Sequence, residues 1–123
     1  MTPNLRAAFS GQRRNVPLAR NAIAGFARLC GFSPEEIDDI RIASGEALSN
    51  AVEHGQTLRS SGFSVRCTFA EDELTIEIRD NGDGFDGVPE GGYGMLLMRR
   101  LMDRVTYEAN GTCVRLIRHK VIS

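Results

Sequence analysis

Three polar side chains recur along one predicted helix in a pattern that could do chemistry. Glu46, Asn50 and His54 stand four residues apart, so at 100° per residue they fall within an arc of about 80° on one face. A carboxylate can deprotonate a hydroxyl, a carboxamide oxygen suits Mg²⁺, and an imidazole can donate a hydrogen bond to a phosphate. The alternative is an ordinary solvated helix face, and the line of residues taken alone favours that alternative.

A glycine-rich turn follows a predicted strand, with the sequence DNGDGF over residues 80–85. Asp80 could accept a hydrogen bond from an exocyclic amine, and Gly82 and Gly84 would let a flat ligand approach the backbone. The G-x-G-x-x-G spacing that ends at Gly87 does not indicate a dinucleotide site, because no helix opens there. An EF-hand is excluded as well, since glycines occupy positions that must supply Ca²⁺ ligands. A plain turn remains the alternative.

Another glycine pair opens the predicted third helix. Gly92 and Gly94 flank Tyr93 at that point, where unpaired backbone N–H groups and the helix dipole can bind a phosphate. The same residues could instead make a flexible helix entry, because a lone G-x-G has little specificity.

The helix that carries Glu46 has the clearest start signal in the chain. Ser33 is a predicted N-cap, Pro34 suits the first helical position, and Glu36 completes a capping box three residues after the cap. Gly55 supplies the end of this helix. Its predicted apolar stripe consists of Ile37, Ile40, Ser44, Ala47, Leu48 and Ala51.

An earlier helix and five strands complete the predicted scaffold. The earlier helix should begin at Pro17 and stop at Gly31, with an apolar stripe of Leu18, Ala22, Phe26 and Leu29. Strands are predicted over residues 5–10, 63–69, 74–79, 105–109 and 112–117, with turns at 71–73 and 110–111 and a third helix over 95–102.

The order of these elements predicts an α+β fold, because strands neighbour one another in hairpins and the helices must cover a sheet face. We expect a two-layer α/β sandwich with a mixed, mostly antiparallel sheet covered by three helices. A doubly wound parallel fold is disfavoured, since strands and helices do not alternate.

Composition narrows the function classes. With 123 residues, a single domain over 1–123 is expected. A net charge of −1 argues against direct nucleic-acid binding. The three cysteines lack C-x-x-C spacing and predict neither a disulfide framework nor a zinc site. Because the sequence also shows neither a leader nor a membrane-spanning segment, we expect a cytoplasmic protein with no membrane partner.

Taken together, the three candidate segments resemble the motifs of one family. Residues 46–55 (EALSNAVEHG) look like the N-box, 80–86 (DNGDGFD) like the G1 box, and 92–105 (GYGMLLMRRLMDRV) like the G2 segment of the anti-sigma-factor serine/threonine kinases. These kinases belong to the superfamily of gyrase, heat-shock chaperone and histidine-kinase (GHKL) ATPase domains. The similarity covers nearly the whole chain in the correct order.

The resemblance implies a Bergerat-type site for ATP and Mg²⁺. By similarity, Glu46 would be the catalytic base and Asn50 would hold Mg²⁺. Asp80 would bind the adenine amino group, with Thr112 supporting the same contact.

The family's glycines carry over in the same way. Gly82 and Gly84 would let the nucleotide lie close to the backbone, and Gly92 and Gly94 would present N–H groups to the phosphates. His54 matches a residue frequent in the family and is grouped with the nucleotide-binding residues.

The resemblance also implies partners. It predicts a protein kinase that phosphorylates an anti-anti-sigma partner with a STAS domain and also sequesters a sigma factor, acting as a homodimer. The partner surface is expected on the exposed side of the first helix around Arg20, close to the segment that closes over ATP.

One departure from the family pattern favours an alternative. Only residues 87–91 separate the G1 and G2 segments, whereas such kinases usually have a longer ATP lid. A short lid has fewer groups to close over the γ-phosphate. The alternative is therefore a nucleotide-binding regulatory module that acts by binding its partner, with little or no kinase activity.

Overall fold

The architecture is an α+β sandwich with one five-stranded sheet. The computed structural model describes residues 2–54, 62–80, 93–108 and 112–121. The elements are β1 (Asn4–Phe9), α1 (Asn15–Leu29), α2 (Pro34–His54), β2 (Phe63–Ala70), β3 (Glu73–Asp80), α3 (Tyr93–Leu101), β4 (Arg104–Glu108) and β5 (Cys113–His119). These bounds agree with the predicted ones to within two residues.

The sheet has the order β1-β2-β3-β5-β4, and every neighbouring pair that the structure describes is antiparallel. A two-residue turn of Glu71 and Asp72, both with positive φ, joins β2 to β3. The turn predicted at 110–111 lies outside the described residues. The expected two-layer α+β class is confirmed, but the expectation of a mixed sheet was wrong, because all the described strand pairs are antiparallel.

One face of the sheet supplies the core. Because side chains alternate along a strand, the register brings one row of apolar residues to the same face, namely Leu5, Cys67, Ile76, Leu116 and Val105. The helices cover that face. The α2 stripe is buried as predicted, including Ser44, whose hydroxyl has no hydrogen-bond partner among the described residues.

The predicted buried face of α1 was wrong in part. Phe26 is buried as predicted, but Leu18 and Leu29 are 59% and 88% exposed, whereas Ala19 and Ala27 are fully buried. The true stripe lies one residue, or about 100°, further round the helix. Its alanines have almost no side-chain bulk, so α1 can approach α2 closely, and the larger leucines are left on the outer side.

The start of α2 is held by a reciprocal capping box. The Ser33 backbone N–H donates to Glu36 Oε1 at 2.9 Å, and the Glu36 N–H donates to Ser33 Oγ at 3.2 Å. The Val121 N–H donates to the second carboxylate oxygen at 3.0 Å. Although burial alone would raise the pKa of Glu36, these hydrogen bonds and the nearby charge of Arg118 lower it.

An ion pair holds the next turn of α2 to the sheet. Arg118 of β5 contacts Asp39 Oδ2 at 3.1 Å and also donates to the backbone carbonyl of Leu101 at the end of α3. The N-terminal part of α2 is therefore tied to both the last strand and the last helix.

The connection between α1 and α2 turns at Gly31, whose φ of 90° lies in the left-handed region, as expected for a glycine stop signal. Lys120 Nζ donates to the carbonyl of Cys30 at 3.1 Å beside this turn.

Burial raises the pKa of the Cys67 thiol to about 12, and the nearby Cys30 raises it further.

Across the described part of the chain, no helix has both the length and the apolar character needed to cross a bilayer.

Candidate functional site

The carboxylate of Glu46 lies against the first turn of α3. A Cβ added to Gly94 would lie 2.8 Å from Glu46 Oε2 and 3.6 Å from its Cδ. Only a residue without a side chain leaves the carboxylate this position. Because Gly94 is the second residue of α3, the negative charge sits at the positive end of the helix dipole, where it is stabilised.

A buried carboxylate stands at the end of β3. Asp80 is 8% exposed and lies at an inward position of the strand, following Leu74, Ile76 and Ile78. Its backbone N–H donates to the carbonyl of Thr112 at 2.8 Å, just before β5 begins. The two residues that the sequence assigned to the same adenine contact are therefore neighbours at one end of the sheet.

Tyr107 of β4 lies between Asn50 and Asp80. Its buried hydroxyl is close to the side chain of Asn50 of α2, one helical turn beyond Glu46. Burial raises the pKa of Tyr107, interaction with the Asn50 side chain lowers it, and the charge of Asp80 raises it. The phenol is thus next to Asn50 and within the field of Asp80.

Sequence reasoning missed Tyr107. The available signal was its inward position in β4, two residues after Val105, where a hydroxyl needs a polar partner. The sequence could not identify that partner, because Asn50 lies on a different element far away along the chain.

A surface depression adjoins Glu46 on the side of α1. It has a volume of about 280 Å³ and is lined by Arg20, Arg41, Ile42, Gly45, Glu46 and Ser49. The aliphatic part of Arg20 crosses Gly45, with its Cδ 3.4 Å from the place a Cβ would occupy. Arg41 is oriented by a hydrogen bond to Asn21 Oδ1 at 2.7 Å. Two guanidinium groups therefore flank the approach to Glu46.

The structure brings together five of the residues singled out in the sequence: Glu46, Asn50, Asp80, Gly94 and Thr112. They come from α2, α3 and the ends of β3 and β5, and they surround the same end of the sandwich. The side chain of His54 and the residues Gly82, Gly84 and Gly92 lie outside the described residues.

Comparison with protein families gives a match over nearly the whole chain. Residues 9–118 match the model of the histidine kinase-like ATPase domain. The chain belongs to this family. An ATPase domain family implies that ATP is the nucleotide, which agrees with the predicted cofactor.

Curated relatives narrow the assignment. The serine-protein kinase RsbW of Bacillus subtilis (strain 168) is 34% identical, with 76% of this chain and 71% of the relative covered. The corresponding kinase of Bacillus velezensis is 33% identical, with 77% and 71% covered. The anti-sigma F factor of Clostridium botulinum (strain Eklund 17B / Type B) is 29% identical over 88% of each chain. The predicted anti-sigma-factor kinase family and the enzyme class are confirmed.

A solved structure shows the same fold. The crystal structure of the RsbU and RsbW domains of a Mycobacterium tuberculosis protein superposes with a TM-score of 0.74 at 24% identity, covering 97% of this chain. The chain spans about a third of that longer protein. The likeness supports the architecture of the sandwich.

Proposed function

We propose that residues 1–123 form a single ATP-binding kinase domain that transfers phosphate to a serine or threonine of an anti-anti-sigma protein with a STAS domain. Relatives named serine-protein kinase and anti-sigma F factor support both the chemistry and the kind of partner. Sequestration of a sigma factor, a homodimeric state and a cytoplasmic location belong to the same proposal.

The contact between Glu46 of α2 and the first turn of α3 carries the proposal. A nucleotide whose phosphates lie on the N-terminal turn of α3, where Gly92 and Gly94 would present N–H groups, would have its terminal phosphate near this carboxylate. Glu46 would then accept the proton of the acceptor hydroxyl and orient its oxygen for attack. Transfer of this kind depends mainly on positioning and charge stabilisation.

The other residues suit the remaining parts of Mg-ATP. Asp80 offers a buried acceptor for the adenine amino group, and a buried polar contact of this kind discriminates strongly against a ligand that lacks the donor. Thr112 fixes the Asp80 backbone. Gly82, Gly84 and His54 stay in their predicted nucleotide-binding roles. Asn50 would hold Mg²⁺ through its amide oxygen, and the cation would neutralise charge on the phosphates.

The depression between α1 and α2 is our proposed docking place for the partner. It is continuous with Glu46, so a bound segment could bring its hydroxyl to the carboxylate. Arg20 Nε is buried and has no hydrogen-bond partner among the described residues, and Arg20 and Arg41 together favour a segment with acidic side chains. Charge reversal at Arg20 should therefore weaken partner binding while leaving nucleotide affinity unchanged.

The deciding experiment is phosphate transfer from labelled Mg-ATP to candidate STAS-domain partners. We expect label on a serine or threonine of the authentic partner and none on a partner whose acceptor is changed to alanine.

Asp80→Asn should weaken ATP binding, because the amide can turn a donor toward the adenine amine. Calorimetry that detects no adenine-nucleotide binding at millimolar concentration would overturn the nucleotide site.

A second candidate function is kept because only five residues lie between the G1 and G2 segments. In that case the protein binds its partner tightly in a nucleotide-dependent way but transfers no phosphate. Tight partner binding without labelled product, under conditions where ATP is bound, would favour this regulatory module over the kinase.

A further inference from the structure

The sheet face opposite the helices, which we call the outer face, carries three arginines close together. The register places Arg6 of β1 directly opposite Arg66 of β2, and Arg79 of β3 directly opposite Ser64, two residues before Arg66. Because side chains alternate along each strand, all four point to the outer face, and all four are exposed. Neighbours of this kind have Cβ atoms about 5–8 Å apart, so three guanidinium groups stand around Ser64.

These arginines lack a counter-charge within the described part of the chain. None of the three guanidinium groups has a hydrogen bond or ion pair with a described residue. Glu77 stands opposite Arg66 in the ladder, but its Oε2 lies 3.8 Å from Arg115 Nη2. Like charges directly opposite each other destabilise a sheet. A bound anion would therefore relieve a repulsion that the chain itself leaves in place.

The surface beside the arginines has room for such an anion. Ala8 and Ser64 are directly opposite each other, next to the pair of Arg6 and Arg66, and their small side chains leave a depression of about 450 Å³. Its described lining residues include no carboxylate: Arg6, Ala7, Ala8, Ser64, Val65 and Arg66. The Ser64 hydroxyl adds a neutral donor to the charged ones.

We propose that Arg6, Arg66 and Ser64 bind a phosphate-type oxyanion on the outer face, with Arg79 adding positive charge from the next strand. A guanidinium group donates two parallel hydrogen bonds to a phosphate, and adjacent guanidinium groups match its double negative charge. The helices that carry Glu46 and Gly94 cover the other face, so this site is separate from the proposed nucleotide pocket. Because the arginines are exposed, salt should weaken the binding.

Arg6→Thr is the test variant. It removes one guanidinium group from the edge strand, and threonine suits a strand. Arg104→Thr is the matched control, because Arg104 is also exposed and lies on the outer face at the opposite edge of the sheet. Both variants lose one positive charge, so a difference between them reports on position and not on net charge.

The first measurement is an NMR titration with inorganic phosphate at low, constant ionic strength, with chloride as the reference anion. We expect the backbone amide signals of Ser64 and Arg66 to move and to saturate. The dissociation constant should rise about tenfold in Arg6→Thr, as for loss of a charge-assisted hydrogen bond, and stay the same in Arg104→Thr. Equal affinity in Arg6→Thr and wild type overturns the proposal, as do shifts confined to the first turn of α3.

The second measurement is urea unfolding at low ionic strength. Without phosphate, the midpoint of Arg6→Thr should lie above that of wild type, because the repulsion with Arg66 is gone. Phosphate should raise the midpoint of wild type and of Arg104→Thr but not that of Arg6→Thr. A lower midpoint in Arg6→Thr without phosphate would contradict the proposal, since Arg6 would then stabilise the ladder by itself.

The same titration identifies the source of the phosphate group. A short peptide with one phosphoserine is compared with free phosphate and with the unphosphorylated peptide. Tighter binding of the phosphopeptide than of free phosphate assigns the site to a phosphorylated chain, and equal affinity assigns it to the free anion. Binding of the unphosphorylated peptide as tightly as the phosphopeptide overturns an oxyanion site.

Discussion

The two ends of α2 use their polar side chains differently. At the N-terminal end, Glu36 and Asp39 are bound by groups of the chain itself, from Ser33, Val121 and Arg118. Toward the C-terminal end, Glu46 has no hydrogen bond or ion pair with any described residue. The first end ties the helix to the sheet, and in the proposed function the second presents groups to the nucleotide and the acceptor. A rigidly held helix can therefore aim side chains that contribute little to its own stability.

The largest effect on phosphate transfer is expected toward the C-terminal end of α2, where Glu46 lies. Glu46→Ala should lower phosphate transfer by about 10²–10⁴, the usual contribution of a general base, and keep nucleotide affinity within a few-fold. Asp38→Ala removes an exposed carboxylate from the other end of the same helix and should leave transfer unchanged. Single-turnover transfer to the authentic partner is the measurement. A wild-type rate in Glu46→Ala would show that another group is the base.

Gly94→Ala tests the contact between α2 and α3. The new Cβ would lie 2.8 Å from Glu46 Oε2, so the flexible carboxylate must move, and a displacement of about 1 Å can cost on the order of 10²-fold in rate. Stability should not fall, because alanine favours the helix by about 1 kcal/mol over glycine.

Gly25→Ala is the matched control for that substitution. Gly25 also lies in a helix, and a Cβ added there meets nothing within 4 Å. It should raise the free energy of unfolding by up to about 1 kcal/mol with transfer unaltered. Equal transfer rates in the two alanine variants would argue against a fixed place for the Glu46 carboxylate.

At the N-terminal end of α2 the expected effect is on the stability of the fold. Glu36→Gln should lower the free energy of unfolding by about 1–2 kcal/mol near pH 7, because charge-assisted hydrogen bonds are weakened. Since the folded state lowers the pKa of Glu36, its contribution is present above the unfolded value of about 4.3 and is lost as pH falls through the folded value. Urea unfolding should show the two proteins converging below pH 4. A constant difference down to pH 3 would contradict the carboxylate's role.

The smallest effect is expected midway along α2. Ser44 is fully buried, and its hydroxyl has no hydrogen-bond partner among the described residues. Ser44→Ala should leave transfer unchanged and raise the free energy of unfolding by about 0.5–1 kcal/mol, because a buried polar group without a partner is costly. A loss of stability instead would indicate that the hydroxyl has a partner in solution.

Local signals in the sequence predicted the elements well. The capping box of Ser33 and Glu36 specifies its own hydrogen bonds over three residues, and the α2 stripe follows from helical periodicity alone. The face of α1 was harder to predict, because Ala19 and Ala27 carry little apolar surface while the exposed Leu29 carries much. Periodicity weighted by side-chain size therefore predicted a stripe that shares Phe26 with the buried face but includes the exposed leucines.

The candidate site was predictable where motifs resemble a family, and not where contacts join distant parts of the chain. Glu46 and Asn50 follow from the N-box segment, and Asp80 follows from the G1 segment. Tyr107 and Gly45 do not, since each matters through a single contact, with Asn50 and Arg20 respectively. Such pairs arise only when the sheet and the helices have packed.

The sheet order has a consequence for synthesis of the protein. Strand β1 is made first, but its hydrogen-bonding partner is β2, and the pairing of Asn4 with Thr68 spans roughly half of the chain. At about 5–20 residues per second on the ribosome, β1 waits roughly 3–13 s before β2 has been polymerised. An unpaired strand is a hazard for pairing with other chains. The two polar residues of this strand, Asn4 and Arg6, stand at alternate positions and keep this short segment hydrated during the wait.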